Sequence, residues 1–334
     1  MDDITQKVGE MYEKFPYPSP LTRGRKLREL VNLLTIFTRE TGYDLAGKTV
    51  LDAGTGTGHR LIEAAAAFKN TRFRAVDISE AVLAIGRQTA AHESVRNIDF
   101  QLFDVMEPTG ILGSFDIILS MGVIHHLSDP ASGFRNLVRN LAEDGIIFLY
   151  IYGKHGSRER MRRKQVVSLL LEGNTQDFGR GIGLIRDLGF DSFDYGWNLN
   201  FDDEESRNGL MVDAFLNVNE TLFDADRIFD LMRSSGLHGF MIYGVTLEQR
   251  GCLFETRVSG HPPGLLMTTN VASHLRSPML QEAYNRLCLA DKYRLIDLLF
   301  QPNGYTLMAF KEGASGRFPL DGRINTNALM ISDL

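Results

Sequence analysis

Apolar residues in this chain keep two rhythms that alternate. Between Lys48 and Gly153, short apolar runs are separated by segments in which apolar residues recur three and four positions apart. The runs predict strands at 48–54 (KTVLDAG), 72–79, 98–105, 115–122 and 145–153. The intervening segments predict helices over 60–68, 80–92 and from Asp129 to Leu141. Ser79 stands where it can cap the second helix, and Asp129 with Pro130 forms an N-cap and first-turn pair for the third. Apolar strands in strict alternation with helices predict an α/β fold with a parallel sheet covered on both faces.

The flanks are less regular. Residues 2–14 read as a short helix that FPYPSP (15–20) breaks, because proline lacks an amide hydrogen and restricts the residue before it. Leu27, Leu30, Val31, Leu34 and Phe37 give helical spacing over 24–42, with Gly42 as a stop. Past Gly153 a helix is expected over 158–171. Residues 172–210 show no sustained period and read as a lid. A helix at 224–236, a strand at 238–247, a helical pair at 277–300 and a closing strand at 305–311 follow. Residues 312–334 carry little pattern and are expected to be loosely ordered. The implied division is an N-terminal helical cap (1–44), a core half (45–155), an insertion facing substrate (156–210), the rest of the core (211–311, with an insertion at 250–300) and a tail.

Composition narrows the function classes. The formal net charge of −6 argues against a global electrostatic grip on nucleic acid. The basic run Arg158, Arg160, Arg162, Arg163 and Lys164 reads as a solvated helix face. Cys252 and Cys288 are the only cysteines, far apart and without metal-ligand spacing, so no zinc site or disulfide framework is expected. No run of about 18 apolar residues suggests a membrane span, and the acidic N-terminus does not read as a signal peptide. A cytoplasmic protein without membrane contact is expected.

The candidate chemistry centres on VLDAGTGTGHRL (50–61), a strand that runs into a glycine loop and then a helix. A phosphate loop would need Lys and then Ser or Thr after the last glycine, and His59 and Arg60 stand there. The dinucleotide fingerprint is G-x-G-x-x-G, whereas Gly54, Gly56 and Gly58 are spaced G-x-G-x-G, with Asp52 just before them. Asp77 ends the second strand and Asp104 the third. The fourth strand continues as FDIILSMGVIHHLSDP. All three acids also have plain readings, as turn-favouring residues.

An acid before G-x-G-x-G, acids at the next two strand ends and the HHLSDP turn, in this order, resemble the class I S-adenosylmethionine-dependent methyltransferases. The resemblance implies a Rossmann-like, doubly wound sheet of seven mostly parallel strands with an antiparallel last strand. It implies S-adenosyl-L-methionine as cofactor and no metal. Asp52, Gly54, Gly56 and Gly58 would form the donor loop. Asp77 with Ile78 would bind ribose, Asp104 with Val105 would bind adenine, and Met121 would lie near the methyl. The amides at the helix N-terminus would receive the donor carboxylate.

MYEKFPYPSP, with its Y-x-x-x-P-Y-P spacing, resembles a segment ahead of the core in a poorly characterised bacterial group of these enzymes. Tyr12 and Tyr17 would then add aromatic surface to the donor site, Phe15 beside them, unless the three staple the first helix to the core. YGKHGSRERM resembles the same group's Y-G-K-x-G-R segment, but Ser157 intervenes before Arg158, so no role passes to that arginine. LMVDAFLNVNETLFDADRIFDLM (210–232) also resembles that group.

His125 or His126 is the candidate base, because imidazole titrates near neutral pH. The absence of Asn/Asp-Pro-Pro-Tyr after the fourth strand and of a Pro-Cys nucleophile argues against the amino-methylating DNA enzymes and against covalent methylation of pyrimidine carbon. A small-molecule acceptor is expected, with protein or RNA acceptors open and the oligomeric state unreadable. The rival readings are a nicotinamide-dependent oxidoreductase and a non-catalytic donor-binding partner.

Overall fold

A computed structural model describes residues 2–19, 28–107, 113–191, 203–247, 251–252, 275–315 and 328–334. Its order begins α1 (Asp3–Lys14), α2 (Glu29–Thr41), β1 (Thr49–Ala53), α3 (His59–Ala67), β2 (Arg72–Asp77), α4 (Glu80–His92), β3 (Ile98–Leu102) and β4 (Phe115–Met121). It continues α5 (Pro130–Arg139), β5 (Leu141–Tyr152), α6 (Arg158–Leu170), α7 (Phe178–Asp187), α8 (Glu204–Met211) and a π-helical turn, Val212–Leu216. Next come α9 (Ala225–Arg233), β6 (Gly239–Leu247), β7 (Gly251–Cys252), α10 (Pro278–Arg286) and α11 (Leu289–Phe300). β8 (Gly304–Phe310), α12 (Glu312–Ser315) and β9 (Leu329–Met330) complete it. The expected caps are present: Ser79 accepts the Val82 amide, Asp129 accepts those of Ala131 and Ser132, and Gly42 closes α2 in the left-handed conformation.

The strands form one sheet in the order β3-β2-β1-β4-β5-β8-β6-β7, with β9 beside β6. The pairs from β3 through β5 are parallel, and β8 runs antiparallel to both β5 and β6. β1 to β6 and β8 make the expected seven-stranded, mostly parallel sheet; two-residue strands β7 and β9 extend it. Successive side chains of a strand point to opposite faces. Accordingly Ile147, Leu149 and Ile151 join one core, with Phe134, Ile228 and Tyr293 of the helices on that face. Ile146 and Phe148 join the other, with Leu34 and Phe37 of α2 and Leu61 of α3.

A third core lies off the sheet. Met11 of α1 packs with Val167, Leu171, Phe178, Ile185, Met211 and Phe215, and Phe15 meets Phe178 edge to face at 5.3 Å. Within the N-terminal segment, α2 packs on the sheet layer, whereas α1 joins α6–α8 and the π-helical turn in a cap. Residues 172–210 also contain α7 and α8, where no period was expected. The tail returns to the sheet, with Met330 paired to Gly239. Residues 24–27 of the expected second helix, and the bulk of the 250–300 insertion before residue 275, lie outside the described residues.

Candidate active site

The strand order reverses between β1 and β4, and open parallel sheets bind ligands at the carboxyl ends of strands beside such a reversal. The cleft found there is lined by Gly54 and Gly56 after β1, Asp77 and Ile78 at β2, and Asp104 and Val105 after β3. Met121, Gly122, Val123 and His126 line it after β4, with Tyr150 and Tyr152 at the end of β5. Thr5, Tyr12 and Tyr17 close it from the N-terminal side, and Asp213 from the π-helical turn. The free space, mouth included, is about 1060 Å³. Among the residues expected here, Asp52, Gly58 and His125 do not line the cleft.

The glycine loop is tightly built. Gly54, Gly56 and Gly58 all have positive φ, which disfavours any side chain. A Cβ at Gly54 would lie 2.2 Å from Val123 Cγ2, and one at Gly56 2.1 Å from the Tyr17 carbonyl oxygen. The close approach at these glycines is therefore made by the protein itself. A Cβ at Gly58 would meet Phe100 at 2.9 Å, so this glycine serves helix packing.

The loop's amides are already engaged. Those of Gly54 and Thr55 donate to the Val76 carbonyl, at 2.8 and 3.0 Å, and that of Gly58 to Thr55 at 3.1 Å. The Gly56 amide donates to Asp77 at 2.9 Å, and that of Thr57 to the Tyr17 carbonyl at 3.2 Å. The Thr57 hydroxyl donates to the Pro18 carbonyl at 2.9 Å. Two carbonyls of the FPYPSP segment thus sit against the loop that leads into α3, where a donor carboxylate was expected.

The acids differ in setting. Asp52 is buried beneath the loop and accepts from Thr55 Oγ1 at 2.8 Å. Burial pushes its carboxyl up to about 6, while the Thr55 hydroxyl and the Arg60 charge pull the other way. Asp77 is also raised by burial, against the amides of Gly56, Ser79 and Ile78. One Asp104 oxygen accepts the Met106 amide at 2.8 Å; among the described residues no hydrogen bond reaches the other.

The two histidines part company. His125 is fully buried, stacked on Tyr152 at 3.8 Å, and among the described residues neither ring nitrogen has a hydrogen-bond partner. Burial foremost, with the charges of Arg160 and Lys164 nearby, holds it well below the usual imidazole range, so it stays neutral. His126 lines the cleft. Its Nδ1 lies 3.0 Å from the Asn219 carbonyl, which can only accept, so Nδ1 carries a proton and, in the neutral ring, Nε2 carries the lone pair. Nε2 lies 4.0 Å from Asp213, which accepts the Tyr12 hydroxyl at 2.7 Å.

Residues distant in the chain hold this turn in place. Asn219 Nδ2 donates to the Leu127 carbonyl at 2.7 Å, and the Thr221 amide to the His125 carbonyl at 2.7 Å. Beneath, Glu220 pairs with Arg160 and with Lys164, the latter at 3.1 Å. Burial would raise the Glu220 carboxyl, but these cations hold it far below its usual range. Arg160 also lies over the Tyr152 ring, 5.0 Å from its centre. Arg160 and Lys164 of the basic run are thus partly buried in structure, a correction to their reading as a solvated face. Asp213, Asn219 and Tyr152 were not expected as site residues; the resemblances of 210–232 and of the YGKHGSRERM segment to the bacterial group were the hints for them. Among the described residues no group of His, Cys, Asp or Glu could hold a metal ion, and no helix is long and apolar enough to cross a membrane.

Comparison with known proteins agrees with this layout. Residues 44–168 match the family model of a methyltransferase domain. An uncharacterized protein of Synechococcus is 25% identical over 310 residues, 89% of this chain and 69% of that protein. A ubiquinone biosynthesis O-methyltransferase of Acinetobacter baumannii is 35% identical over 109 residues, 32% of this chain and 45% of the relative. The structure of PKMT2 from Rickettsia typhi in complex with AdoHcy superposes with a TM-score of 0.56 at 15% identity, over 83% of this chain and 52% of that one. The chain therefore spans about half the length of that structure and less than half of the O-methyltransferase. Residues 44–168 thus carry the match to a methyltransferase domain, and the chain shares its fold with the PKMT2 structure.

Proposed function

We propose that this chain transfers a methyl group from S-adenosylmethionine to a small-molecule acceptor, with His126 removing the acceptor's proton. The observation that carries the reading is that one cleft brings the glycine loop and the strand-end acids to an imidazole whose Nδ1 is held by a carbonyl, which leaves Nε2 as the lone-pair nitrogen of the neutral ring. The residues present suit the donor. Asp77 would accept from its ribose hydroxyls, and the unengaged oxygen of Asp104 from its adenine amine. The Tyr12 and Tyr17 rings offer surface for adenine or a sulfonium. When bound, the donor supplies an electrophilic methyl group on sulfur.

The chain's own contribution is positioning. Holding nucleophile and methyl in line, away from water, can supply about 7–11 kcal/mol of rate acceleration. Met121, at the end of β4, and the tyrosines at the end of β5 would border the acceptor. His126 would hold the acceptor's proton on Nε2. The neutral, buried His125 stacks on Tyr152 and lies tilted against His126, and would keep both in place. The relative's name, a ubiquinone biosynthesis O-methyltransferase, favours an oxygen nucleophile on a small molecule, although the match spans only 32% of this chain.

Calorimetry with S-adenosylmethionine, S-adenosylhomocysteine and NAD tests the donor. Binding of the sulfur nucleosides alone is expected, and weaker binding by Asp77→Ala. Tight NAD binding without them would overturn the reading. Incubation with labelled donor and cell extract, followed by mass analysis, should then reveal a methylated product. A protein that binds donor but never transfers label would be a binding partner instead.

A further inference from the structure

We infer that Arg60 is the residue that holds the carboxylate of the donor's amino-acid end. The inference rests on the donor reading above.

The loop cannot serve the carboxylate with its own amides. Every amide from Gly54 to Gly58 already donates to a protein acceptor. The Tyr17 and Pro18 carbonyls lie against the Thr57 amide and hydroxyl, and these oxygens carry the same partial charge an incoming anion would bring. A carboxylate pressed into that position would meet two carbonyl dipoles, not donors.

Arg60 supplies the missing charge. It stands in the first turn of α3 and lines the same cleft as Asp77 and Tyr17. Its charge favours the ionised form of both Asp52 and Tyr17, in line with its place in the cleft wall. Among the described residues it makes no hydrogen bond and no ion pair. A guanidinium presents paired donors that match a carboxylate in two parallel bonds. The other ionisable groups that line the cleft are acids, tyrosines and His126, so Arg60 is its one permanent cation among the described residues.

Calorimetry with two probes tests this on the full chain. One is S-adenosylhomocysteine; the other is S-adenosyl-3-thiopropylamine, the same molecule without the carboxylate. The wild type is expected to prefer the first by about tenfold or more, the range of a charge-assisted pair. Arg60→Met should erase that preference by weakening S-adenosylhomocysteine alone, and Arg60→Lys should keep part of it. A wild type that binds both probes equally overturns the inference without recourse to a variant. So does an Arg60→Met protein that loses both probes in step, or neither. If the wild type binds neither probe, the donor reading falls, and this inference with it.

Discussion

At Asp52 the chain leaves the sheet and turns a carboxyl group inward, beneath the glycine loop. Its folded pKa, about 6, stands above the value near 3.9 of an unfolded chain. The stability it contributes is therefore fully present below the unfolded value and lost as pH rises through about 6. Asp52→Asn, still able to accept from Thr55, should gain on the wild type across that window by up to about 3 kcal/mol, then hold level. Urea melts at a series of pH values check this, and a pH-independent difference would count against it. His126→Gln removes the Nε2 lone pair. Label transfer should fall by about 100-fold or more, with affinity for S-adenosylhomocysteine little changed; an equal loss of both would make His126 a binding residue. Asp77 and Asp104 were legible because strand ends announce themselves in the hydrophobic pattern. Asp213 was not, since it reaches Tyr12 across 201 positions of chain.

Among elements, the cap is the unit that departs most from what the pattern announced. α7, FGRGIGLIRD, carries three glycines, each costly in a helix interior. One of them is needed for packing, since a Cβ at Gly181 would lie 2.7 Å from Leu216. Close contact with the π-helical turn thus overrides helix propensity, and the 3.6-residue signal is lost. The caps at Ser79 and Asp129 and the glycine stop at Gly42, by contrast, were legible, because each is satisfied within a few residues of itself. Phe178 ties α7 to Phe15 and to the cap core. Phe178→Ala should cost about 3–5 kcal/mol in that core. Hydrogen exchange is expected to quicken in α1 and α6–α8 while β1, β4 and β5 keep their protection, and donor affinity should weaken through Tyr12 and Tyr17. Equal loss of protection in the central strands would show cap and sheet to be one cooperative unit.

On the scale of the molecule, the cleft lies where the sheet and the cap meet, so a ligand there touches both. S-adenosylhomocysteine at a hundred times its dissociation constant should add about 2.7 kcal/mol to the unfolding free energy. A melt in which the cap and sheet probes rise together would agree; a sheet transition that stays put would place the ligand elsewhere. The sequence by itself determined what local forces decide. These are the parallel sheet, from apolar runs buried on both faces, the glycine loop, from its G-x-G-x-G spacing, and the acids at the strand ends. The tertiary structure alone decided what depends on distant pairing. It set the carbonyls of Tyr17 and Pro18 against the loop, clamped His126 with Asn219, and brought Asp213 to Tyr12. No spacing in the chain encodes these contacts, because they form only when separate layers pack and their buried polar groups must find partners.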